Sequence, residues 1–264
     1  MIINPYSFGG LDPDAQAFLT ASGITDSTIS SAINTLVTTM KSDGIWTKMK
    51  AIYPMVGGTA STHKFNLKDP RDLDAAFRLT FSGGITHDSN GILPNGTNGY
   101  ADTKFNPIAQ GLTNLNNHLS FYSRSNTNTP FYEMGCGDIN GVTNISLWSR
   151  RSNNTAGYDS GNYLFYRNTF SNSDGRGFYC GTAISSFSKY FKNGVLKSSV
   201  GVGTSSLQNG NIFLCGFNVS NTSAYYSDKQ CAFATIGEGL SDTEAANLYT
   251  AVQAFQTTLN RQIV

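Results

Sequence analysis

The strongest constraint on the fold is an Asn-Gly pair, Asn193-Gly194, placed between two β-prone segments at residues 187–191 and 195–199. Both residue types tolerate the positive φ angles of a type I′ turn, and such turns join adjacent antiparallel strands. Two further apolar segments follow, at residues 211–217 and 231–236. This part of the chain is therefore predicted to be antiparallel sheet.

A helix is predicted to close the chain at residues 241–258. Ser241 and Glu244 have the spacing of a capping box, in which each side chain pairs with the backbone amide of the other residue. Apolar residues then recur along one helical face: Ala245, Leu248, Val252, Phe255 and Leu259. This stripe predicts a helix that packs against the sheet.

The order of these elements resembles the C-terminal part of laminin G-like, concanavalin A-like jelly rolls. The matching residues are Phe191, Asn193, Gly194, Leu240, Ser241, Asp242, Glu244, Leu248 and Tyr249. The resemblance implies a mainly β protein, an antiparallel sandwich over residues 45–264 that the final helix closes. Domains of that family mostly bind sugars or proteins, but the fold does not by itself determine the function.

Residues 1–44 are predicted to form a helical hairpin beside the sandwich. Asp12 is placed as the N-cap of the first helix and either Thr25 or Asp26 as that of the second, while Gly23 and Gly44 end the two helices. The second helix carries one apolar stripe: Ile29, Ile33, Leu36, Val37 and Met40. The stripe is predicted either to pack on its own sandwich, the preferred alternative, or to dock on another subunit during assembly.

A second resemblance covers residues 11–107. Segments 46–54, 65–68, 76–79 and 94–101 are similar to a block found in structural proteins of tailed bacteriophages. The resemblance implies a virion component, such as a head fibre, a capsid decoration protein, a tail fibre or a tail-tip protein, assembled in the host cytoplasm. Its partners would be other virion proteins and further copies of the chain.

The middle of the chain contains three similar strand-like segments, at residues 119–124, 145–150 and 163–167. Each precedes an Asn- and Ser-rich turn, as expected for antiparallel strands of a sandwich. In the first segment Leu119 and Phe121 share one face. In the second, Ile145 and Leu147 do the same.

Charge and hydropathy exclude two classes of partner. The chain has a net charge of +1 and only 13% charged residues, so no basic surface for nucleic acid is expected. No apolar run reaches the roughly 18 residues of a membrane helix. Residues 1–5 lack a basic leader followed by an apolar segment, so no signal peptide is expected either.

The sequence offers no catalytic set. The glutamates are Glu133, Glu238 and Glu244, and they lack the Glu-x-Asp-x-x-Glu spacing of the glucanases that share the jelly-roll fold. Nucleophile, zinc-protease and phosphate-loop motifs are also missing. His63, His87 and His118 are expected to be solvated in polar loops, and no cofactor is predicted apart from the calcium considered below.

The cysteines are Cys136, Cys180, Cys215 and Cys231, without Cys-x-x-Cys spacing, so zinc is not expected. Buried thiols are predicted, with a Cys215–Cys231 bridge left open. Calcium has two weak candidate sites, Asp88 with Asn90 and Asp138 with Asn140. An Asx-turn explains both pairs equally well.

Sugar binding requires an exposed aromatic ring beside hydrogen-bonding side chains. Three pairs have this composition: Tyr122 with Arg124, Trp148 with Arg150, and Tyr158 with Asp159. Tyr225 and Tyr226 are further candidates. The alternative for every one of these rings is burial in the sandwich, because burying a large side chain is favourable by about 1.5–3 kcal/mol.

Three functions follow from the sequence, in this order. The first is a non-enzymatic virion structural protein that presents the sandwich. The second is a carbohydrate-binding adhesin that contacts a host-surface glycan, a role that is compatible with the first. The third and most remote is a glucanase that degrades polysaccharide.

Overall fold

The computed structural model describes residues 10–161, 167–203 and 205–263. Its helices are α1 (Pro13–Ser22), α2 (Ser27–Ser42), the single turn α3 (Ala60–His63) and α4 (Asp242–Thr258). Short 3₁₀ turns occur at Trp46–Lys48 and Asp74–Ala76. No helix in these ranges combines the length and the apolar character of a membrane span.

Antiparallel strands account for most of the remaining regular structure. In chain order they are β1 (Met49–Tyr53), β2 (Thr80–Ser82), β3 (Ile85–Asp88), β4 (Gly91–Pro94), β5 (Tyr100–Asp102), β6 (Asn116–Ser123), β7 (Met134–Gly137), β8 (Asn144–Trp148), β9 (Thr155–Ser160), β10 (Asn168–Ser171), β11 (Gly177–Ile184), β12 (Phe187–Lys192), β13 (Val195–Gly201), β14 (Phe213–Leu214), β15 (Phe217–Val219), β16 (Thr222–Ala224) and β17 (Cys231–Gly237).

The strands form two sheets. The first has the order β13-β12-β11-β6-β17-β4-β3, and β1 pairs with β17 as well. The second has the order β10-β9-β8-β7-β14-β5-β2, and β15 pairs in parallel with β7 while β16 pairs with β15. The predicted mainly β sandwich, with helices at both ends of the chain, is confirmed.

The predicted hairpin and helix caps are confirmed at the level of individual residues. Asn193 and Gly194 have φ angles of 49° and 72° and connect β12 to β13. Ser241 accepts from the amide of Glu244, and Glu244 accepts from the amide of Ser241. Each local signal acts within a few residues of chain, which is why it could be read from sequence.

Other segments differ from their predictions. The alternation of apolar residues over 75–81 predicts one strand, but Phe77 has φ 60° and separates the Asp74–Ala76 turn from β2. Residues 211–217 are likewise divided at Cys215, where φ is 63°. The strand expected at residues 163–167 lies outside the described residues, apart from Arg167.

The core between the sheets confirms the predicted inward faces. Leu119 and Phe121 of β6 and Ile145 and Leu147 of β8 are all fully buried in it. β6 belongs to the first sheet and β8 to the second. The two strand segments therefore face each other across the sandwich.

A second core lies on the outer face of the first sheet, beneath α1, α2 and α4. The predicted stripe of α2 belongs to it: Ile33, Leu36, Val37 and Met40 are buried, and Ile29 packs against the cluster. Packing on its own sandwich is thus the alternative that the structure supports. The stripe is unavailable as an assembly surface, which corrects the docking alternative.

Arg261, just beyond α4, ties this helical layer to the sheet. Its guanidinium donates to the carbonyl oxygens of Pro54, Met55, Ser89 and Ala232 at 2.7–3.1 Å. The side chain is almost fully buried, and this burial lowers the pKa of Arg261 to about 9. The guanidinium is still charged at pH 7, so it forms charge-assisted hydrogen bonds.

The histidines correct the expectation of solvated loops. His118 is fully buried in β6, with Nδ1 2.6 Å from the carbonyl oxygen of Glu238 and Nε2 3.0 Å from Oγ1 of Thr235. His63 is buried and lies 3.0 Å from His87 through their Nδ1 atoms. Every residue of β6 after Asn116 is buried, because the strand lies between β11 and β17 inside the first sheet, and the polar neighbours of His118 in the sequence do not reveal this position.

The cysteines are free and buried in the structure. The expectation of buried thiols is confirmed, and the Cys215–Cys231 bridge is wrong. Burial raises the pKa of Cys180 to about 12 and that of the other three thiols further still. These thiols are therefore protonated and unreactive near neutral pH.

Replacing Arg261 by Met tests the anchor of the helical layer. The substitution leaves buried carbonyl oxygens unpaired, and each such loss costs roughly 1–3 kcal/mol. We expect R261M to lower the free energy of unfolding by more than about 3 kcal/mol in urea titrations. The control R71M removes an exposed ion pair with Asp69 and should cost less than about 1 kcal/mol. Equal effects of the two variants would contradict the anchoring role.

His118 predicts a pH dependence of stability. Burial lowers the pKa of His118 to about 4, whereas an unfolded histidine titrates near 6.5. Between these values the unfolded chain binds the extra proton, so stability falls as the pH falls. Between pH 7 and pH 5 we expect the free energy of unfolding of the wild-type protein to fall by about 2 kcal/mol more than that of H118Q. If urea titrations show that the wild-type protein and H118Q lose the same free energy of unfolding between pH 7 and pH 5, His118 does not titrate in this way.

Candidate functional site

A cleft of about 220 Å³ opens on the outer side of the second sheet. It lies between the segment before β7, the turn between β7 and β8, and the β15–β16 hairpin. The residues that line it are Pro130, Tyr132, Asp138, Ile139, Arg151, Phe217, Val219 and Tyr225. Aromatic rings, one guanidinium and one carboxylate thus converge on a single concave surface, as is common in ligand sites.

Local backbone geometry builds two walls of the cleft. Ser220 and Asn221 have φ angles of 48° and 70°, so a two-residue turn joins β15 to β16 and places Tyr225 beside Phe217. In the opposite wall, Asp138 accepts hydrogen bonds from the backbone amides of Asn140, Val142 and Thr143. Its carboxylate therefore organises the turn before β8.

The aromatic side chains form a continuous platform. The rings of Tyr132 and Phe217 are stacked, with centroids 4.4 Å apart and an interplanar angle of 20°. Tyr225 lies 6.0 Å from Tyr132 and 6.4 Å from Phe217. Because 48% of Tyr225 is exposed, part of this platform faces solvent.

Arg151 extends the platform with a positive charge. Its guanidinium carbon lies 4.2 Å from the ring centroid of Tyr132 and 4.0 Å from that of Trp148. Both distances are typical of cation–π contacts. Trp148 is buried behind the cleft, and Gly157 makes room for it, since a Cβ there would lie 1.9 Å from Cζ2 of the indole.

Asp159 and Arg167 form an ion pair behind Trp148. Asp159 is fully buried and accepts from Nε and Nη2 of Arg167 at 3.2 and 3.0 Å. Arg167 also lies over the Trp148 ring, at 4.9 Å. Burial raises the pKa of the Asp159 carboxyl, and the ion pair with Arg167 opposes that rise.

The structure separates the sugar-binding candidates that the sequence suggested. Tyr122 is buried beneath α4, where its hydroxyl donates to Gln253, and the Arg124 guanidinium donates to the carbonyl oxygen of Arg261. Tyr158 is buried between the sheets. For both rings the burial alternative holds, because Tyr122 lies in the core beneath the helices and Tyr158 in the core between the sheets.

The remaining candidates lie near the cleft but in other roles. Trp148 and Asp159 are buried behind it rather than exposed to a ligand. Arg150 points elsewhere and donates to Asn126 and Asn154. Tyr225, one of the further candidates, does line the cleft.

Sequence reasoning missed Tyr132, Phe217 and Arg151. These residues are far apart in sequence, and β15 reaches Tyr132 only because it pairs in parallel with β7. A parallel pairing of this kind leaves no short-range signal in the sequence. The one available hint was the adjacent pair Arg150 and Arg151, of which Arg151 lines the cleft.

The calcium candidates are explained by turns. Asp138 uses both carboxylate oxygens for the turn described above. Asp88 accepts from the amide of Asn90 at 2.8 Å and from Nε2 of Gln230 at 3.1 Å. Within the described ranges, no group of three or more acidic, histidine or cysteine side chains is arranged to hold a metal ion. Calcium binding remains an untested expectation.

A larger depression, of about 330 Å³, lies between the N-terminus of α2 and the end of α4. Arg261 lines it, but the guanidinium of that residue is already bonded to backbone carbonyls. The aromatic cleft is therefore the better candidate, because 48% of its Tyr225 is exposed to solvent.

Comparison with known proteins supports the fold. Domain 4 of AbnA, an extracellular GH43 arabinanase from Geobacillus stearothermophilus solved in complex with arabinotriose, is 17% identical with a TM-score of 0.53. The match covers 76% of this chain and 98% of that domain. At this identity the likeness establishes a shared mainly β sandwich and nothing about the ligand.

Two other solved structures are more distant. The CBM40 of the Ruminococcus gnavus IT-sialidase is 18% identical with a TM-score of 0.39, over 50% of this chain and 79% of that one. A mutant Trypanosoma rangeli sialidase displaying trans-sialidase activity is 10% identical with a TM-score of 0.48, and the match covers 84% of this chain and 39% of that one. Comparison of the sequence with protein-family models and with curated proteins gave no match.

Proposed function

We propose that this chain is a non-catalytic carbohydrate-binding sandwich that holds a sugar in the aromatic cleft. The observation that carries the proposal is the half-exposed ring of Tyr225, which continues the stacked pair Tyr132 and Phe217. A flat ring covers the apolar face of a pyranose, while neighbouring donors bind its hydroxyl groups. Arg151 supplies such donors at the same surface.

The carboxylates of the cleft support binding without hydrolysis. Glycosidases need two carboxyl groups on either side of the scissile bond. Among the described residues that line the cleft, Asp138 alone carries a carboxylate, and the adjacent turn occupies it. The glutamates are engaged elsewhere: Glu133 pairs with buried Lys229, Glu238 with Lys50, and Glu244 with Lys48.

The neighbour in the structural comparison agrees with a sugar ligand by analogy. AbnA domain 4 was solved in complex with arabinotriose. Because shared fold alone does not transfer function, the analogy supports testing glycans first and names no particular glycan.

A virion role is the second candidate, and the resemblance of residues 11–107 to tailed-phage structural proteins favours it. In this chain that block forms α1, α2 and the strands β1 to β5. Binding a host-surface glycan is compatible with a place on the particle surface. Contacts with other virion proteins or with further copies would have to use surfaces other than the buried α2 stripe.

Removing aromatic rings from the cleft tests carbohydrate binding. In a glycan array followed by calorimetry, we expect Y225A and Y132A to bind the selected glycan about tenfold more weakly, since each loses one stacking surface. The control F187A removes a ring that is 54% exposed on the first sheet and should bind normally. If no glycan is bound, or if Y225A binds like the wild-type protein, the proposal fails.

The absence of catalysis is tested on the same glycans. We expect no new reducing ends after prolonged incubation with any oligosaccharide that binds, because the cleft lacks a second carboxyl group. Release of reducing ends that is abolished in D138N would instead identify an enzyme.

The virion role has its own measurement. Mass spectrometry of purified particles from a phage that encodes this chain should detect the protein at a fixed copy number per particle. Detection in the infected-cell lysate but not in purified particles would remove this second candidate and leave glycan binding untouched.

A further inference from the structure

We infer that the ligand of the cleft is an acidic oligosaccharide, whose anionic group is bound at the edge of the Arg151 guanidinium. The inference rests on the proposed function and specifies its ligand class. The shared chemistry is a planar or tetrahedral oxyanion on a sugar, either a uronate carboxylate or a sulfate ester.

Arg151 lies against two aromatic rings and has no acceptor for its charge among the described residues. Within the described ranges its guanidinium contacts the faces of Tyr132 and Trp148, and it forms no ion pair and no side-chain hydrogen bond. Its Nε atom is buried without a hydrogen-bond partner. The two ring centroids are 5.7 Å apart with an interplanar angle of 86°, so the rings cover two adjacent sides of the guanidinium rather than its opposite faces. The donor atoms on its remaining sides are left for a ligand, and a guanidinium edge matches an oxyanion.

Arg151 differs from every other arginine of the chain in its hydrogen bonds among the described residues. Each of the others has an oxygen acceptor in the structure: Arg71, Arg78, Arg167 and Arg176 pair with aspartates, Arg150 with asparagines, and Arg124 and Arg261 with backbone carbonyls. Arg151 is the exception, and it is also the arginine that lines the cleft. A charge left without an acceptor at a concave aromatic surface indicates an anionic ligand.

The neighbouring carboxylates do not neutralise Arg151 by contact. Asp159 is held by Arg167 through two hydrogen bonds. Asp138 accepts from Asn140, Val142 and Thr143 within its own turn. Asp138 does form part of the opposite wall, and like charges repel, so the anionic group of the ligand is directed to the Arg151 side.

The surface beside the cleft has room for a second sugar. A second depression, of about 400 Å³, shares Ile139, Val219 and Tyr225 with the cleft. Its other lining residues are Ser220, Thr222 and Ala224, so no charged side chain lines it. The cleft alone is smaller than the roughly 300 Å³ at which ligand pockets begin. We therefore assign an acidic sugar to the cleft and a neutral neighbouring sugar to the second depression, with Tyr225 between them.

The experiment compares matched ligands and matched variants by calorimetry. The ligands are a uronic-acid oligosaccharide, its carboxyl-reduced neutral counterpart, and a sulfated oligosaccharide of the same length. The variants are R151Q and R150Q, adjacent residues with the same change of charge, of which only the first lines the cleft. R151K keeps the charge but loses the planar fork.

We expect the wild-type protein to bind at least one acidic ligand about tenfold more tightly than the neutral counterpart. R151Q should lose that preference, R150Q should retain it, and R151K should lie between them. Binding of the acidic ligand should weaken as salt is raised, because the contact is ionic. The comparison of ligands on the wild-type protein holds even if R151Q fails to fold.

Two outcomes separate this inference from the proposed function. If neutral and acidic ligands bind equally and R151Q behaves like R150Q, the inference is overturned while carbohydrate binding stands. If none of the glycans binds, the proposed function fails and the inference fails with it. A preference for the uronate over the sulfate, or the reverse, identifies which oxyanion the site takes.

Discussion

The apolar outer face of the first sheet is the constraint on which the rest of the structure depends. Tyr122, Phe178 and Phe191 would otherwise face solvent, and three helices from the two ends of the chain cover them. Burial of such side chains contributes about 1.5–3 kcal/mol each. The helices therefore belong to the domain, and Arg261 joins their layer to the sheet through the carbonyls of Pro54 and Ala232.

The helices cover the outer face of the first sheet but not the outer face of the second. The outer side of the second sheet has no such helical cover among the described residues, and its large rings are organised by stacking and by arginines instead. Trp148 illustrates the difference, since it lies against Gly157 and beneath Arg151 rather than under a helix. The helices therefore stabilise one face of the sandwich, and the other face carries the aromatic cleft for which we propose a ligand.

Local signals allowed much of the fold to be predicted. The Asn193-Gly194 turn, the Ser241–Glu244 capping box and the α2 stripe each act over a few residues, and the structure contains all three. The candidate site was predicted poorly, because exposure of an aromatic ring is not a local property. Tyr122 and Trp148 have similar sequence surroundings, yet they lie on opposite outer faces of the sandwich, the first beneath α4 and the second behind the cleft.

The sequence by itself determined the fold class and the helical caps, since turn chemistry and helical periodicity act between residues that are close together in the chain. Only the tertiary structure decided which rings reach solvent. The parallel pairing of β15 with β7 brings Phe217 to Tyr132, across more than eighty residues of chain. Contacts over such separations depend on strand order, and no segment of the sequence records that order on its own.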